Sequence, residues 1–377
     1  MDLTPFKECK AHKNAIFIGN ETPSDGSDNP ALRPCCWFET RIGAGSYAEY
    51  QEKLAQVDIE KTCRYCIDME KNGGTWSHRK FFESRNNKFT VSISFDNLCN
   101  LKCITCSPQN SSGLALEMVG PNKKQYTTLW KKEPIKSNFL KEMLSTMDID
   151  ELQLEILGGE PLINPAVYNF LDWLIEQPYA KQTTINVTTN GTTYDERIIK
   201  YIDNFKQLSV QVSIDGVNNV FEYIRFGNSF HTLRQVVDKF YVLKLTRKNF
   251  SMSMNYTLSW MNSLHISDFF NWVAINYPQI NFILVTKLEW PEHYAISILP
   301  IETRKRIVDK VLSEVKHTSR GVETGLDFYK QHMLTTEQTI DLLTKAKQVL
   351  ARNDKLPNRK SNFNETFAHI LDFLNTI

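Results

Sequence analysis

Cys99-Asn100-Leu101-Lys102-Cys103-Ile104-Thr105-Cys106 decides how this chain is read. Three cysteines stand at C-x3-C-x2-C spacing behind an alternating run, in which Thr90, Ser92 and Ser94 separate Phe89, Val91, Ile93 and Phe95. Such alternation predicts a half-buried strand, so the cysteines lie on the loop leaving its C-terminal end. Three thiolates within eight residues grip one face of a metal cluster without completing a four-thiolate shell. One metal corner therefore stays open to another ligand, as a chemical site requires and a closed structural site does not. On spacing alone, the alternative is a zinc knuckle that borrows a distant fourth ligand.

Outward from this loop, strand and helix patterns alternate. Leu152, Leu154 and Ile156 predict a second strand, Ile185 and Val187 a third, and Leu208, Val210, Val212 and Ile214 a fourth. Met252, Met254 and Tyr256 predict a fifth, and Ile280 to Val285 closes the series. Between them lie helical spacings at Leu140, Met143, Leu144 and Met147, at Val167, Phe170, Leu171 and Leu174, and at Ile198, Ile202 and Phe205. Leu233, Val236, Val237 and Phe240, then Ile266, Phe269, Phe270 and Val273, continue the pattern. Six strand–helix units predict an α/β fold with a parallel sheet, a partial (β/α)6 TIM-like barrel over residues 87–290. Functional groups are then expected at the C-terminal strand ends. Three such ends carry Gly158-Gly159-Glu160-Pro161, Thr188-Thr189-Asn190-Gly191-Thr192 and Ser213-Ile214-Asp215-Gly216. The paired glycines let a ligand approach the backbone closely, and Glu160 offers an acceptor.

The cysteine spacing, followed in order by these strand-end motifs, resembles the radical S-adenosylmethionine (radical SAM) superfamily. The resemblance implies that Cys99, Cys103 and Cys106 hold a 4Fe–4S cluster whose fourth iron binds S-adenosylmethionine (SAM). Reductive cleavage then gives methionine and a 5′-deoxyadenosyl radical that abstracts hydrogen from substrate, with a reductant such as flavodoxin or ferredoxin. The GGEP motif, Gly158 to Pro161, implies a seat for the cofactor's amino group, and a side chain at Gly159 is expected to fill space needed by the methionine moiety. Thr189 and Asn190 match the next pattern, and Ser213 with Arg225 implies a hold on the cofactor carboxylate. For Arg225 alone, a surface or interhelical salt bridge is as good a reading. Thr105 stands where that superfamily often has an aromatic residue, which removes an expected ring contact on the adenine side.

Residues 1–86 have weak periodicity and a turn-rich segment from Asn20 to Pro30. Cys9, the adjacent Cys35 and Cys36, and Cys63-x2-Cys66 supply enough thiols for one complete four-thiolate shell. Zinc and a second iron–sulfur cluster both satisfy that count. Pro34-Cys35-Cys36, Cys63-x2-Cys66, Glu70, Gly73, Ser77 and Arg79 resemble the twitch/SPASM auxiliary-cluster module of radical SAM enzymes, here placed before the barrel. Pro30 stands where the module usually has glycine. The resemblance implies Cys9, Cys35, Cys63 and Cys66 as ligands of an auxiliary cluster, 4Fe–4S by analogy, with Cys36 as an alternative to Cys35 and His12 to Cys9. Glu70, Ser77 and Arg79 read as hydrogen-bonding groups that hold the loop.

Residues 291–377 read as a helical extension. Val308, Val311, Leu312 and Val315 mark one helix, and Thr335-x-x-Gln338 predicts the start of a second, with Leu342, Leu343, Ala346, Val349 and Leu350. Phe363, Phe367, Ile370, Leu371 and Leu374 mark a third, after a linker at Asn353 to Asn358. These stripes read as core-packing faces, and no catalytic constellation is visible among them.

The 377 residues carry 44 basic and 43 acidic side chains, so global charge favours neither nucleic acid nor membrane. No apolar run is long enough to span a bilayer, and the first residues lack a secretory leader's apolar stretch, so a cytoplasmic protein is expected. All eight cysteines precede position 107, which in a reducing compartment points to metal rather than disulfides. The competing reading is a zinc-binding nucleic-acid protein without redox catalysis, in which Lys123, Lys124, Tyr126, Trp130, Lys131 and Lys132 form the basic, aromatic surface. For an enzyme, the auxiliary-cluster resemblance implies a peptide or protein substrate first, with a nucleoside, a sugar-derived metabolite or tRNA as alternatives.

Overall fold

A computed structural model describes residues 3–71, 77–84, 88–119, 133–338, 348–350, 354 and 362–375. Gly73, the basic run Lys123 to Lys132, and Leu342, Leu343 and Ala346 lie outside these residues. The chain is mixed α/β with mostly parallel strand pairing, the class expected of a partial barrel. It divides into two compact units. One contains Met1–Cys99, Pro108–Thr188 and Asp195–Ser209; the other contains Asn100–Ser107, Thr189–Tyr194 and Val210–Ile377.

In the first unit the strands are β1 (Ala15–Ile18), β2 (Ala31–Arg33), β3 (Ile42–Gly43), β4 (Phe89–Ser94), β5 (Leu152–Leu157) and β6 (Thr184–Thr189). They lie in the order β3-β2-β1-β4-β5-β6. β1, β4, β5 and β6 are parallel, while β2 and β3 add antiparallel edges. Val91, Ile93, Leu154, Ile156, Ile185 and Val187 are almost wholly buried, so alternate positions on these strands fill one layer of the core. The helix Pro165–Ile175 begins where Asn164 accepts a hydrogen bond from the Ala166 amide, with proline at the first turn. It buries Val167, Phe170, Leu171 and Leu174, the four residues its periodicity marked.

The N-terminal segment is more regular than its sequence predicts. β1 runs beside β4 in the register Ala15↔Thr90 to Ile18↔Ile93, with Ile16 and Ile18 buried. Four residues are too few for a period to be read, so only the neighbouring strand reveals this one.

In the second unit the C-terminal part of β7 (Gln207–Ser213) is followed by β8 (Phe250–Leu258) and β9 (Ile283–Lys287). β8 and β9 are parallel, with Met254 opposite Ile283. β9 starts three residues later than the apolar run suggested. Ile280 instead closes a turn, its amide donating to the Tyr277 carbonyl at 3.0 Å.

The C-terminal reading needs two corrections. Arg320–Thr335 forms a helix that was not expected, and Thr335 ends that helix instead of opening one. Two glycines hid the helix. A Cβ at Gly321 would lie 2.4 Å from the Ile280 carbonyl oxygen, so this glycine serves close packing. Phe363, Phe367 and Ile370 are buried, and Phe363 and Phe367 pack edgewise or tilted on Tyr223. Asp354, from the expected linker, accepts from the Tyr223 hydroxyl at 2.8 Å and from the Phe363 amide at 2.9 Å. No described helix is long and apolar enough to cross a membrane.

Candidate metal centres and cofactor rim

In the first unit, β4 ends in a knot of polar groups that presents Cys99. Asp96 accepts from the Leu98 amide at 2.7 Å and from Asn164 Nδ2 at 2.9 Å. Asn97, fully buried, donates to the Pro108 carbonyl at 3.0 Å. The Cys99 amide donates to Ser112 Oγ at 3.0 Å, and the Gly113 amide donates to the Cys99 carbonyl at 3.2 Å. Ser112 opens the helix Ser112–Val119, so the first cysteine is seated on a helix start.

The β5 end meets the same knot. Gly158 and Gly159 have φ of +69° and +56°, which side chains rarely tolerate. A Cβ on Gly159 would lie 2.5 Å from the Leu98 carbonyl oxygen. The Glu160 amide donates to that same oxygen at 2.7 Å. Gly159 thereby lets the β5 end touch the backbone entering the cysteine loop. Glu160 is buried, and one of its carboxylate oxygens accepts from the Leu162 amide at 3.1 Å.

In the second unit, Cys103 and Cys106 are half-buried between apolar anchors, Leu101 and Ile104, which are buried. The loop is zipped along the Arg225 segment: the Lys102 amide donates to the Phe226 carbonyl at 2.9 Å and the Ile104 amide to the Ile224 carbonyl at 3.0 Å. Asn190 Nδ2 donates to Asn100 Oδ1 at 3.0 Å, and Asn190 Oδ1 accepts from the Thr192 amide at 3.0 Å. The Thr189 hydroxyl accepts from the Gly191 amide at 3.2 Å. Ser213 is buried at the end of β7. Arg225 Nε lies 2.9 Å from Asp215 Oδ2 in a nearly dry ion pair, 11% and 1% exposed, and Asp215 Oδ1 accepts from the Thr257 amide at 2.8 Å. Arg225 is thus in a salt bridge, but a buried one to the segment after β7 rather than the surface or interhelical pair expected.

The first unit also gathers the N-terminal thiols. Cys9, Cys35, Cys63 and Cys66 line one cavity with His12 and Arg79. They come from three separate stretches of chain. Cys66 packs with Phe6 and Ile67, while Cys9 forms a cluster with Ala11 and Ala15 against which Cys35 packs. Cys36 lines a different cavity, with Ser92 and Glu155. Burial pushes the Cys9 thiol up to about 11 and the Cys63 thiol up to about 12, neighbouring thiols adding to the rise, and it raises Cys35 further. Burial also pulls His12 below its ordinary value, against a bond to the Lys7 backbone. Such thiols stay protonated until metal displaces the protons. Among the described residues, no group of three or more His, Cys, Asp or Glu converges on a single metal ion. A cubane cluster takes one thiolate at each corner, so four thiols around one apolar cavity fit it as a donor set.

Beside this cavity Glu70 accepts from Ser77 Oγ and from Arg79, whose guanidinium also reaches Glu83. Arg79 and Glu70 are only 13% and 11% exposed. Sequence reasoning placed these groups as loop holders. It missed Lys136, a buried ammonium that donates to Asn20 Oδ1 at 2.6 Å and to the Ser94 carbonyl at 2.8 Å. It also missed Asp96 and Asn97; a polar pair separated from the first cysteine by Leu98 was the available signal.

Comparison with known proteins follows from this geometry. Residues 93–258 match the model of the radical SAM superfamily. No curated protein matches the chain. Among solved structures, native anSMEcpe with bound AdoMet and Cp18Cys peptide is similar with 17% identity and a TM-score of 0.40, over 61% of this chain and 63% of that one. SuiB of Streptococcus suis bound to precursor peptide SuiA is similar with 13% identity and a TM-score of 0.35, over 70% of this chain and 52% of that one. This chain thus spans less than two thirds of the length of either. The superfamily match begins at Ile93, at the end of β4, and covers the cysteine loop and the strand ends carrying the GGEP, Thr189-Asn190 and Ser213 motifs, and it speaks against the reading without redox catalysis. Residues 93–258 thus carry a radical SAM domain, and that family implies a 4Fe–4S cluster and SAM.

Proposed function

We propose that this enzyme has two iron–sulfur clusters and acts on a peptide or protein. Cys99, Cys103 and Cys106 hold the SAM-cleaving 4Fe–4S cluster. Gly158, Gly159 and Glu160 with Thr189, Asn190 and Ser213 form the cofactor's seat, and Arg225, fixed by Asp215, completes its carboxylate side. Cys9, Cys35, Cys63 and Cys66 hold an auxiliary cluster, of 4Fe–4S type by resemblance, in a twitch/SPASM-like segment over residues 1–86. The barrel then spans 87–290 and the helical extension 291–377. When loaded, such a centre supplies one electron to SAM, giving methionine and a 5′-deoxyadenosyl radical that takes hydrogen from substrate. The chain's own contribution is to hold and orient: backbone at Leu98 and Gly159, side chains at Asn100 and Asn190, and buried thiols in the N-terminal cavity. A flavodoxin or ferredoxin is the proposed reductant.

The observation that carries the two-cluster reading is the common cavity of four cysteines from separated segments. The peptide substrate rests on the twitch/SPASM resemblance, and a short precursor-peptide gene beside this one is its first check. Anaerobic reconstitution tests the cluster assignment. Iron and sulfide content should approach two cubanes per chain, with one electron paramagnetic signal perturbed by SAM and one indifferent to it. Stoichiometric zinc in a colourless protein would overturn the proposal.

A further inference from the structure

The C-terminal extension and the cysteine loop both engage one short helix of the second unit, Asn218–Ile224, and the residues that follow it. The chain leaving this helix lies along the cysteine loop. Ile224 and Phe226 give their carbonyls to the Ile104 and Lys102 amides at 3.0 and 2.9 Å. Gly227 permits the close approach: its φ is +111°, and a Cβ there would stand 3.1 Å from Leu101 Cδ2 and 3.3 Å from the Asn100 carbonyl oxygen. Arg225 lies between the two bonded carbonyls, and its own amide closes the last helical turn on the Phe221 carbonyl at 2.8 Å. The position of Arg225 is therefore set jointly by the loop and by the helix.

The helix itself is gripped through Tyr223, which is buried. Its ring centroid stands 5.2 Å from that of Phe367, edge to face, and 6.2 Å from that of Phe363. Its hydroxyl donates to Asp354 Oδ1 at 2.8 Å, while Asp354 Oδ2 accepts from the Phe363 amide at 2.9 Å. One carboxylate thus ties Tyr223 to the start of the helix Phe363–Thr366. Phe363 also meets the buried Trp260 edgewise at 5.9 Å, so the C-terminal segment is anchored beyond this one contact. Packed rings tolerate sliding. A short hydrogen bond to a charged acceptor, itself pinned to a helix start, fixes where Tyr223 stands.

We propose that Tyr223 is a positioning residue: through it, Asp354, Phe363 and Phe367 of the C-terminal segment set where the Arg225 segment lies on the cysteine loop, and so the hold on the cofactor's carboxylate. The assignment rests on the reading of Arg225 as the carboxylate side of the SAM seat. It gives the C-terminal extension, which carries no motif, a share in cofactor binding from two residues away.

The test is anaerobic calorimetric titration of SAM into the reconstituted holoenzyme, with iron content measured on the same samples. Tyr223→Phe removes the hydroxyl and keeps the ring. It should retain full iron content and weaken SAM binding several-fold, and Asp354→Ala should do the same. Arg225→Lys keeps a charge for Asp215 but loses the planar fork that suits a carboxylate, so it should also weaken binding. Added to Arg225→Lys, Tyr223→Phe should change little, because its effect runs through Arg225. Unchanged SAM affinity in Tyr223→Phe or in Asp354→Ala overturns the proposal. An equal loss in both Arg225 backgrounds also overturns it, because that marks a general structural effect, and so does a loss of iron in Tyr223→Phe. Undiminished affinity in Arg225→Lys shows separately that the carboxylate reading of Arg225 is wrong, and the positioning role falls with it.

Discussion

The two cysteine sets are built in opposite ways. The C-x3-C-x2-C loop is local: its cysteines fall within eight residues, and backbone hydrogen bonds at Cys99, Lys102 and Ile104 hold it. Those bonds survive removal of the thiol groups. The N-terminal set is assembled from three stretches, with Cys9, Cys35, Cys63 and Cys66 themselves contributing apolar surface to small core clusters. In one region the fold presents the proposed ligands; in the other the proposed ligands are part of what closes the fold. Loss of metal should therefore silence the first region and loosen the second.

The largest effects should come from removing ligands, and they should differ in kind. Cys99, Cys103 and Cys106 changed together to alanine should remove roughly half the iron and abolish SAM cleavage, with little change in unfolding midpoint. Cys63→Ala with Cys66→Ala should also remove roughly half the iron, but should retain uncoupled SAM cleavage, lose substrate turnover and unfold at clearly lower denaturant. Iron analysis, 5′-deoxyadenosine formation and urea unfolding of both variants read the contrast directly. If both variants lose the same stability, the distinction between presented and structural ligands fails.

Gly159→Val comes next. The sequence alone suggests a variant that loses cofactor affinity and keeps its cluster. With a Cβ 2.5 Å from the Leu98 carbonyl oxygen and a φ of +56°, the valine must instead displace the backbone leading into Cys99. Strain of this kind costs on the order of 1–3 kcal/mol. Iron at the three-cysteine site and SAM affinity should therefore fall together, while the N-terminal cluster stays. Full iron content with lost SAM affinity would restore the simpler view.

Much of this was legible from residue order, and the limits were physical. β5, β6, β7 and β8 were marked by alternation, because each buries alternate residues. β4, read as half-buried, also buries Thr90 and Ser94, and β9 was marked only by an apolar run that begins too early. The strand-end motifs were legible because glycine pairs and polar tetrapeptides stand out after apolar runs. β1 was not, since four residues carry no readable period, and its role depends on Thr90 to Ile93 lying opposite. The helix Arg320–Thr335 was missed because glycine at 321 looks like a breaker until Ile280 is seen against it. The four-cysteine grouping was reached by counting and by resemblance. That Cys36 faces another cavity could be learned only from tertiary structure.

A smaller effect sharpens the view of the N-terminal region as one held by more than its cysteines. Burial by itself would raise the Glu70 carboxyl, but hydrogen bonds from Arg79 and Ser77 outweigh it and hold the group below the ordinary carboxylate range. A lowered folded-state value means that the stabilisation is complete above the ordinary carboxylate range and is lost as pH falls through the lowered value. Glu70→Gln should cost about 1–3 kcal/mol at neutral pH, since Arg79 keeps Glu83 as a partner. Urea unfolding of metal-free protein should show the gap from wild type narrowing on acidification. A gap that widens instead would mean that Glu70 is not held as an ion.

The smallest effect tests the local loop. Asn190 ties Asn100, inside the cysteine motif, to the turn after β6, with Nδ2 to Asn100 Oδ1 at 3.0 Å and Oδ1 receiving the Thr192 amide at 3.0 Å. Asn190→Ala removes these bonds and the one from Thr192 Oγ1 at 2.7 Å, but Asn100 Nδ2 still donates to Thr192 Oγ1 at 3.0 Å and the loop keeps its backbone zipper at Lys102 and Ile104. A lost hydrogen bond of this sort costs about 1 kcal/mol, and only part of it falls on the loop. Iron content should stay whole, because no ligand and no anchoring residue is touched. SAM affinity should weaken several-fold, because the rim that carries Thr189 and Asn190 is held less firmly to the loop that carries Cys103 and Cys106. Asn190→Asp keeps the acceptor for Thr192 and loses the donor to Asn100, so it isolates the tie to the cysteine motif. If Asn190→Asp binds SAM as the unchanged protein does while Asn190→Ala does not, the turn alone matters. If both lose iron, the loop is not self-supporting, and the contrast with the N-terminal site collapses.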